Sequence, residues 1–304
     1  MFLLLLFIVQ GFWAASLGAR QIALVDMPIG LILILRYGLS SLILLLFGTF
    51  KGASQFSRRD WLLILFIGIG NFSLSPYLQL KGIELTQTID LSILIATEPF
   101  IIALMATISL KEKLTWEMVV VFILSAIGVL ILSGWNWETF SLPMTHKRFL
   151  GNILFLLALL FESINTTASR YLTQRHDPLK LFAWIMGIGA ITNLIIYHKT
   201  VLEIPPLHYP FMGSWLSIGF LVLGPTLISY GIWFWLTKRI EASRLALSLF
   251  LQPLMGAFLG YFFLGERVDH QTVVGSAMIF VTLLAWGIHN LQRTRKNASP
   301  ERTK

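Results

Sequence analysis

The chain has 304 residues, of which 56% are hydrophobic and only 12% are charged, and its mean hydropathy is +0.76. Soluble proteins carry about a quarter charged residues, so this composition excludes an ordinary soluble domain. The formal charge of +8 comes from basic residues between apolar runs, which indicates membrane topology and not nucleic-acid binding. Because cysteine is absent, disulfides, thiolate nucleophiles and Cys-bound metals are excluded.

Apolar runs of about 18 to 20 residues recur along the chain, each long enough to cross about 30 Å of hydrocarbon as a helix. Because lipid offers the backbone no hydrogen-bond partner, we predict an all-α membrane protein with ten transmembrane helices. The first run has no basic segment before it and is interpreted as a membrane helix, not a secretory signal. The predicted spans cover residues 2–19, 28–50, 61–80, 90–110, 116–134, 149–169, 180–198, 212–236, 244–264 and 270–290.

The spans divide into two related halves. Glu98-Pro99 and Gln252-Pro253 stand 154 positions apart, and a Leu-x-Glu-Lys/Arg sequence follows each at the same distance. An odd number of helices per unit forces the second unit into the opposite orientation, which is the inverted-repeat plan of many secondary transporters. We therefore predict two inverted five-helix repeats over 1–137 and 149–290, a connector over 138–148 and a basic tail over 291–304.

The basic residues predict the orientation. Lys and Arg are concentrated in the loops on the side of the N-terminus, so we expect both termini to be cytoplasmic. The short loops and the lack of a targeting segment suit a multi-pass protein of a bacterial inner membrane. The tail is expected to lie near anionic membrane lipid.

Several short motifs together resemble a known family. They are Gly11-Phe12-Trp13, Pro28 followed by Arg36, Glu98-Pro99, Gln252-Pro253, and the Leu-x-Glu ends at 110–113 and 264–267. Over residues 5–290 the pattern resembles the drug/metabolite transporter superfamily and, within it, the EamA-type ten-helix transporters. The resemblance implies a two-repeat protein that moves small metabolites, amino acids or drugs, commonly outward, without an ATP site or cofactor.

Three charged residues lie well inside predicted spans: Arg36, Glu98 and Glu162. A charge in the bilayer interior costs at least about 2.5 to 3.5 kcal/mol, so a functional role is the first hypothesis. Glu98 and Glu162 are predicted to couple transport to protons. The alternative is a structural ion pair with Arg36 that fixes helix packing.

Polar residues and prolines interrupt the third and eighth spans. Backbone groups freed by such interruptions are tolerated where they line a cavity, although packing alone also explains them. Trp residues in a cavity can stack on cationic or aromatic substrates. The predicted substrate-binding residues are Trp13, Arg36, Asn71, Ser75, Tyr77, Asn165, Thr166, Tyr230, Trp233 and Gln252.

Other features have structural interpretations. Asp90 suits the positive end of a helix dipole, and Glu112 and Glu266 are expected to contact loop backbone at helix ends, with gating as the alternative. Gly256 and Gly260 form a GxxxG pattern that permits close packing within the protomer or across a homodimer.

We predict a secondary transporter that exports a small metabolite such as an amino acid by alternating access, coupled to protons. Its partners are the substrate, protons and lipid, without nucleic acid. One alternative is a membrane receptor or assembly protein that binds a ligand without moving it. Another is an intramembrane enzyme using Glu98 and Glu162 as an acid-base pair, which is disfavoured because nothing near them resembles a nucleophile or a metal site. The phosphate-loop, HExxH, GxSxG and dinucleotide signatures are also absent.

Overall fold

A computed structural model describes residues 2–47, 56–86, 88–132, 146–202, 212–264 and 270–297. Within these ranges the regular structure is entirely helical. The α-helices are α1 (Phe2–Asp26), α2 (Ile29–Phe47), α3 (Arg58–Ile69), α4 (Ser75–Leu85), α5 (Thr88–Ile95), α6 (Glu98–Leu110), α7 (Trp116–Leu132), α8 (His146–Thr173), α9 (Pro178–Leu202), α10 (Met212–Leu221), α11 (Ser229–Thr237), α12 (Ala242–Leu247), α13 (Leu251–Leu264) and α14 (His270–Asn297).

Eight helical segments of the described chain are long and apolar enough to cross a membrane. They are Phe2–Asp26, Ile29–Leu46, Arg58–Leu85, His146–Thr173, Pro178–Lys199, Met212–Thr237, Ala242–Leu259 and His270–His289. The other two predicted spans contain the shorter apolar helices α6 and α7, so the count of ten stays a prediction. Large apolar side chains on the outside, such as Leu62, Ile108 and Leu216, expose 68%, 73% and 68% of their surface, as lipid-facing residues do.

Local sequence signals explain where several helices begin and end. Ser57 and Asp60 form a capping box at the start of α3, in which the Asp60 amide donates to Ser57 Oγ at 3.1 Å. Pro178 opens α9, where its missing N–H leaves no unpaired donor. Lys111 follows the last residue of α6 and has the left-handed conformation, with φ of 55°. This conformation ends the helix, so Glu112 is no longer part of it.

The interruptions predicted in the third and eighth spans are π-helical segments. The first joins α3 to α4 over Gly70–Leu74, and the second joins α10 to α11 over Val222–Ile228. Pro225 lies inside the second segment, where its ring and missing N–H disrupt the regular α-helical bonding. Single-turn π segments occur frequently at functional sites.

The fourth and ninth spans are also broken, which the sequence interpretation did not predict. The span predicted over 90–110 consists of α5 and α6, separated by a turn at Ala96 and Thr97. In the ninth span a 3₁₀ turn, Ser248–Phe250, separates α12 from α13. Pro99 is the second residue of α6 and Pro253 the third residue of α13, both in the first turn, where proline fits a helix start and not a helix interior.

The major helix contacts join the first half of the chain to the second. Helix α2 packs against α9, α4 against α8, α1 against α10, and α7 against α14. The α7–α14 contact is very close, because an ideal Cβ on Gly275 would lie 2.6 Å from the Gly128 carbonyl oxygen. By contrast, a Cβ on Gly256 would meet no atom within 4 Å in the described part of the chain, so Gly256 makes no close helix contact there. A homodimer through that face stays a prediction.

Candidate functional site

A cavity of about 70 Å³ lies between the two halves of the chain. Residues of α1, α4, α8 and α11 line it, together with the junctions of the two broken helices. Eight of the residues singled out in the sequence contribute: Trp13, Glu98, Glu162, Asn165, Thr166, Tyr230, Trp233 and Gln252. The cavity is smaller than the roughly 300 to 1,000 Å³ of typical ligand pockets, so it must widen before a metabolite can enter.

Three aromatic rings form one wall of the cavity. The Trp13 ring lies edge-on to Tyr230 and Trp233, with centroid distances of 5.4 and 5.0 Å. Trp13 Nε1 donates to the Pro225 carbonyl oxygen at 3.1 Å, so the π-helical segment supplies an acceptor that an α-helix would use internally. This hydrogen bond connects the aromatic wall of the first predicted span to the eighth.

A polar chain crosses the cavity from α1 through α4 to α8. Arg20 donates to Gln79 Oε1, and Gln79 Nε2 donates to Glu162 Oε1 at 2.6 Å. The sequence interpretation ended the first span at residue 19 and placed Arg20 in a loop. This boundary was wrong, because α1 continues to Asp26 and carries Arg20 into the cavity; the apolar residues 22–25 were the signal for that continuation.

Glu98 occupies the first turn of α6, at the break in the fourth span. Its side chain lines the cavity and the residue is 7% exposed, yet the carboxylate makes no hydrogen bond or ion pair with any residue that the structure describes. It interacts electrostatically with Glu162. Gln252 has the equivalent position at the start of α13, so one junction carries an acid and the other a neutral amide.

Four of the predicted binding residues lie outside this cavity. Arg36 is 3% exposed, and its Nε donates to Thr226 Oγ1 at 2.8 Å in the π-helical segment. Asn71 is 1% exposed, and neither polar atom of its side chain has a partner in the described chain. Ser75 donates to the Ala158 carbonyl oxygen at 3.1 Å, and Tyr77 stacks on Tyr197 with centroids 5.9 Å apart.

Glu112 joins the two halves at the end of the molecule where α6 ends. Its carboxylate accepts from the amides of Ala242 and Ser243, both at 2.9 Å, and thereby caps α12. Arg170 Nε lies 3.8 Å from the same carboxylate, and another Arg170 nitrogen donates to the Thr237 carbonyl oxygen at 2.7 Å. A second cavity, of about 770 Å³, lies beside this cluster and includes Glu112 and Arg170 in its wall.

Asp90 forms an ion pair at the end of the molecule opposite Glu112. Arg148 donates to both of its carboxylate oxygens, at 2.6 and 2.7 Å, and links α5 to α8. Asp90 therefore forms a strong ion pair with Arg148, in addition to the favourable interaction with the helix dipole that was expected for it. Glu266 lies outside the described residues. No group of three His, Asp or Glu side chains in the described ranges could hold a metal ion.

The model of the EamA-like transporter family matches the chain twice, over residues 1–134 and 149–286. This chain belongs to the EamA-like transporter family. Its similarity to "Uncharacterized transporter YoaV" of Bacillus subtilis is 23% identity over 88% of the chain and 90% of that protein. An "Uncharacterized transporter" of Archaeoglobus fulgidus is 24% identical over 75% of the chain and 76% of its own length.

The fold has a counterpart among solved structures. One crystal structure superposes with a TM-score of 0.74 at 18% sequence identity, covering 92% of this chain and 93% of the other. At that identity the likeness concerns the fold alone. With the family match and the apolar helices, the EamA-like chain is a multi-pass membrane transporter.

Proposed function

We propose that this EamA-like transporter exports a small metabolite, such as an amino acid or a related compound, by proton-coupled alternating access. The observation that carries the proposal is the cavity between the halves, which combines an aromatic wall with an unpaired carboxylate at a broken helix. Transporter sites lie near the midplane between repeats and are formed by discontinuous helices. Export is the direction that the family resemblance implies.

Two inverted five-helix repeats are the architecture that we propose for this movement. The two family matches, 1–134 and 149–286, support the division, as do the π-helical segments in the third and eighth spans and the breaks in the fourth and ninth. The repeats would rock about the cavity and expose it alternately to each side. Both termini would lie in the cytoplasm of a bacterial cell.

Glu98 and Glu162 are the proposed proton-coupling residues. Glu162 already accepts a hydrogen bond from Gln79, whereas Glu98 has no polar partner in the described chain. An unpaired carboxylate in a confined cavity inside the membrane is costly, and a proton or a cationic group relieves that cost. Glu98 is therefore the first of the two to test.

The test is uptake and counterflow in proteoliposomes that contain the purified protein and a mixed pool of metabolites, including amino acids. The proposal expects at least one compound to accumulate, and an imposed pH gradient to change its flux. If a compound binds and raises the thermal stability but does not cross, the protein acts as a receptor. If a product forms without accumulation, the acid-base enzyme hypothesis replaces transport.

A further inference from the structure

Arg20 is placed to take part in recognition within the proposed site. It follows Trp13 by seven residues on α1, so both side chains lie on one helix face, and both line the cavity. The chain thus brings a permanent positive charge to the aromatic wall. Arg36, the other cation considered for this role, lies outside the cavity and donates to Thr226.

The hydrogen-bonding capacity of Arg20 is only partly used. A guanidinium has five N–H donors, and one nitrogen of Arg20 donates to Gln79. Its Nε is buried and has no hydrogen-bond partner within the described ranges. A buried donor without an acceptor costs free energy, so a ligand that supplies oxygen acceptors would be stabilised there.

Arg20 and Glu162 attract each other electrostatically, but this attraction leaves the Nε donor of Arg20 without an acceptor. An Arg–carboxylate pair frequently forms two parallel hydrogen bonds. Here the neutral amide of Gln79 stands between Arg20 and Glu162, and these two charged groups form no direct ion pair in the described structure. The guanidinium therefore keeps donors for another anionic group.

The cavity therefore contains the Arg20 guanidinium, which has free N–H donors. It also contains the Glu98 carboxylate, at the junction of α5 and α6, which has no hydrogen-bond partner in the described chain. We infer that Arg20 binds the carboxylate of a zwitterionic substrate whose ammonium group faces Glu98. The aromatic wall of Trp13, Tyr230 and Trp233 contacts the apolar part of that substrate. This inference rests on the proposed transport function, and it narrows the substrate class to amino acids and similar zwitterions.

The experiment compares amino acids with their amides, in which the carboxylate is replaced by a neutral group. Thermal stabilisation of the purified full chain is titrated with each of the twenty standard amino acids and, for those that stabilise it, with the corresponding amide. The variants are Arg20→Gln and Arg20→Lys, which retains the charge but lacks the planar fork. Arg239→Gln is the matched control, because Arg239 is an exposed arginine that packs on Trp235 away from the cavity.

The wild type should bind at least one amino acid about ten- to a hundredfold more tightly than its amide, the factor that a charged hydrogen bond contributes. Arg20→Gln should reduce this ratio to about one while amide binding is retained, which also shows that the variant folds. Arg20→Lys should give an intermediate ratio, and Arg239→Gln should keep the wild-type ratio.

Three outcomes overturn the inference: equal binding of acid and amide by the wild type, equal weakening of both by Arg20→Gln, or no binding of any amino acid. Transport of other compounds in proteoliposomes would, in each case, leave the proposed function standing. Absence of transport of every compound would refute the proposed function itself, so the two failures are distinguishable.

Discussion

Glu98 and Glu162 line the same cavity but differ in what surrounds them. Glu162 accepts a hydrogen bond from Gln79, which in turn accepts one from Arg20, whereas Glu98 has no such partner in the described chain. A carboxylate that is already hydrogen-bonded gains less from protonation than an unpaired one. The two acids are therefore unequal candidates for carrying a proton, although their positions inside predicted spans favoured both equally.

Replacement of Glu98 by Gln should abolish the response of transport to a pH gradient. The amide keeps the shape of the side chain but cannot exchange a proton, so the flux that remains in proteoliposomes should become independent of the gradient. Glu84→Gln is the control, since Glu84 contacts Lys81 at the surface at 2.7 Å. Undiminished stimulation by the gradient in both Glu98→Gln and Glu162→Gln would contradict the coupling role.

Single residues also mark what sequence reasoning could select and what it could not, although their roles in binding stay predictions. Trp13, Glu98, Tyr230 and Gln252 were found because polar or aromatic groups in apolar spans are unusual, and the cavity brings them together. Arg20 was missed because a charge was taken as the end of a span. Which side of a helix Asn71 faces depends on the π-helical turn that contains it, and no local pattern specifies such a turn.

At the scale of helices, the second parts of the two broken spans carry Glu98-Pro99 and Gln252-Pro253 in their first turns. Hydropathy locates such a span but does not reveal its break, because both parts are equally apolar. Proline is the usable signal, since it favours the first turn of a helix over a helix interior. The same reasoning applied to Pro99 would have predicted the turn at Ala96 and Thr97.

Glu112 is expected to stabilise the start of the ninth span. Glu112→Ala leaves the amides of Ala242 and Ser243 without their acceptor, which should lower the free energy of unfolding by about 1 to 3 kcal/mol. Thermal unfolding of the purified protein measures this change. Glu84→Ala removes only a surface ion pair and should cost at most about 1 kcal/mol. An equal loss in both variants would argue against the capping role.

Gly275 should tolerate no side chain, because α7 and α14 approach closely at this point. An added Cβ would lie 2.5 Å from the Leu132 amide nitrogen, so Gly275→Ala should separate the helices and cost about 1 to 3 kcal/mol. Gly287→Ala, on the same helix, is the matched control, since its Cβ would meet no atom within 4 Å. Thermal unfolding in detergent should show a lower midpoint for Gly275→Ala alone; equal midpoints would contradict the close approach.

At the scale of the whole molecule, the start of α1 and the end of α11 lie together. The rings of Phe2 and Trp235 have centroids 5.7 Å apart, and the link between α6 and α7 borders the large cavity beside Arg170, at the end where α11 also finishes. If the N-terminus is cytoplasmic, as the basic residues predict, this whole end faces the cytoplasm.

Because the chain contains no cysteine, its orientation can be tested with single introduced thiols. Glu84→Cys, at the end of α4, should react with a membrane-impermeant maleimide in intact cells. Lys113→Cys, in the exposed link between α6 and α7, should react only after the membrane is permeabilised. The reverse pattern would show that the termini face outward.

The pairing of helices across the halves also has a consequence for synthesis. Helices α1, α2, α4 and α7 find their major partners in α10, α9, α8 and α14, all of which leave the ribosome later. At about 5 to 20 residues per second, the second half takes roughly 8 to 30 s to make. During that interval the faces of the first half that will meet these partners stay in contact with lipid, translocation machinery or chaperones. Completion of the fold must therefore wait for the last helix of the nascent chain.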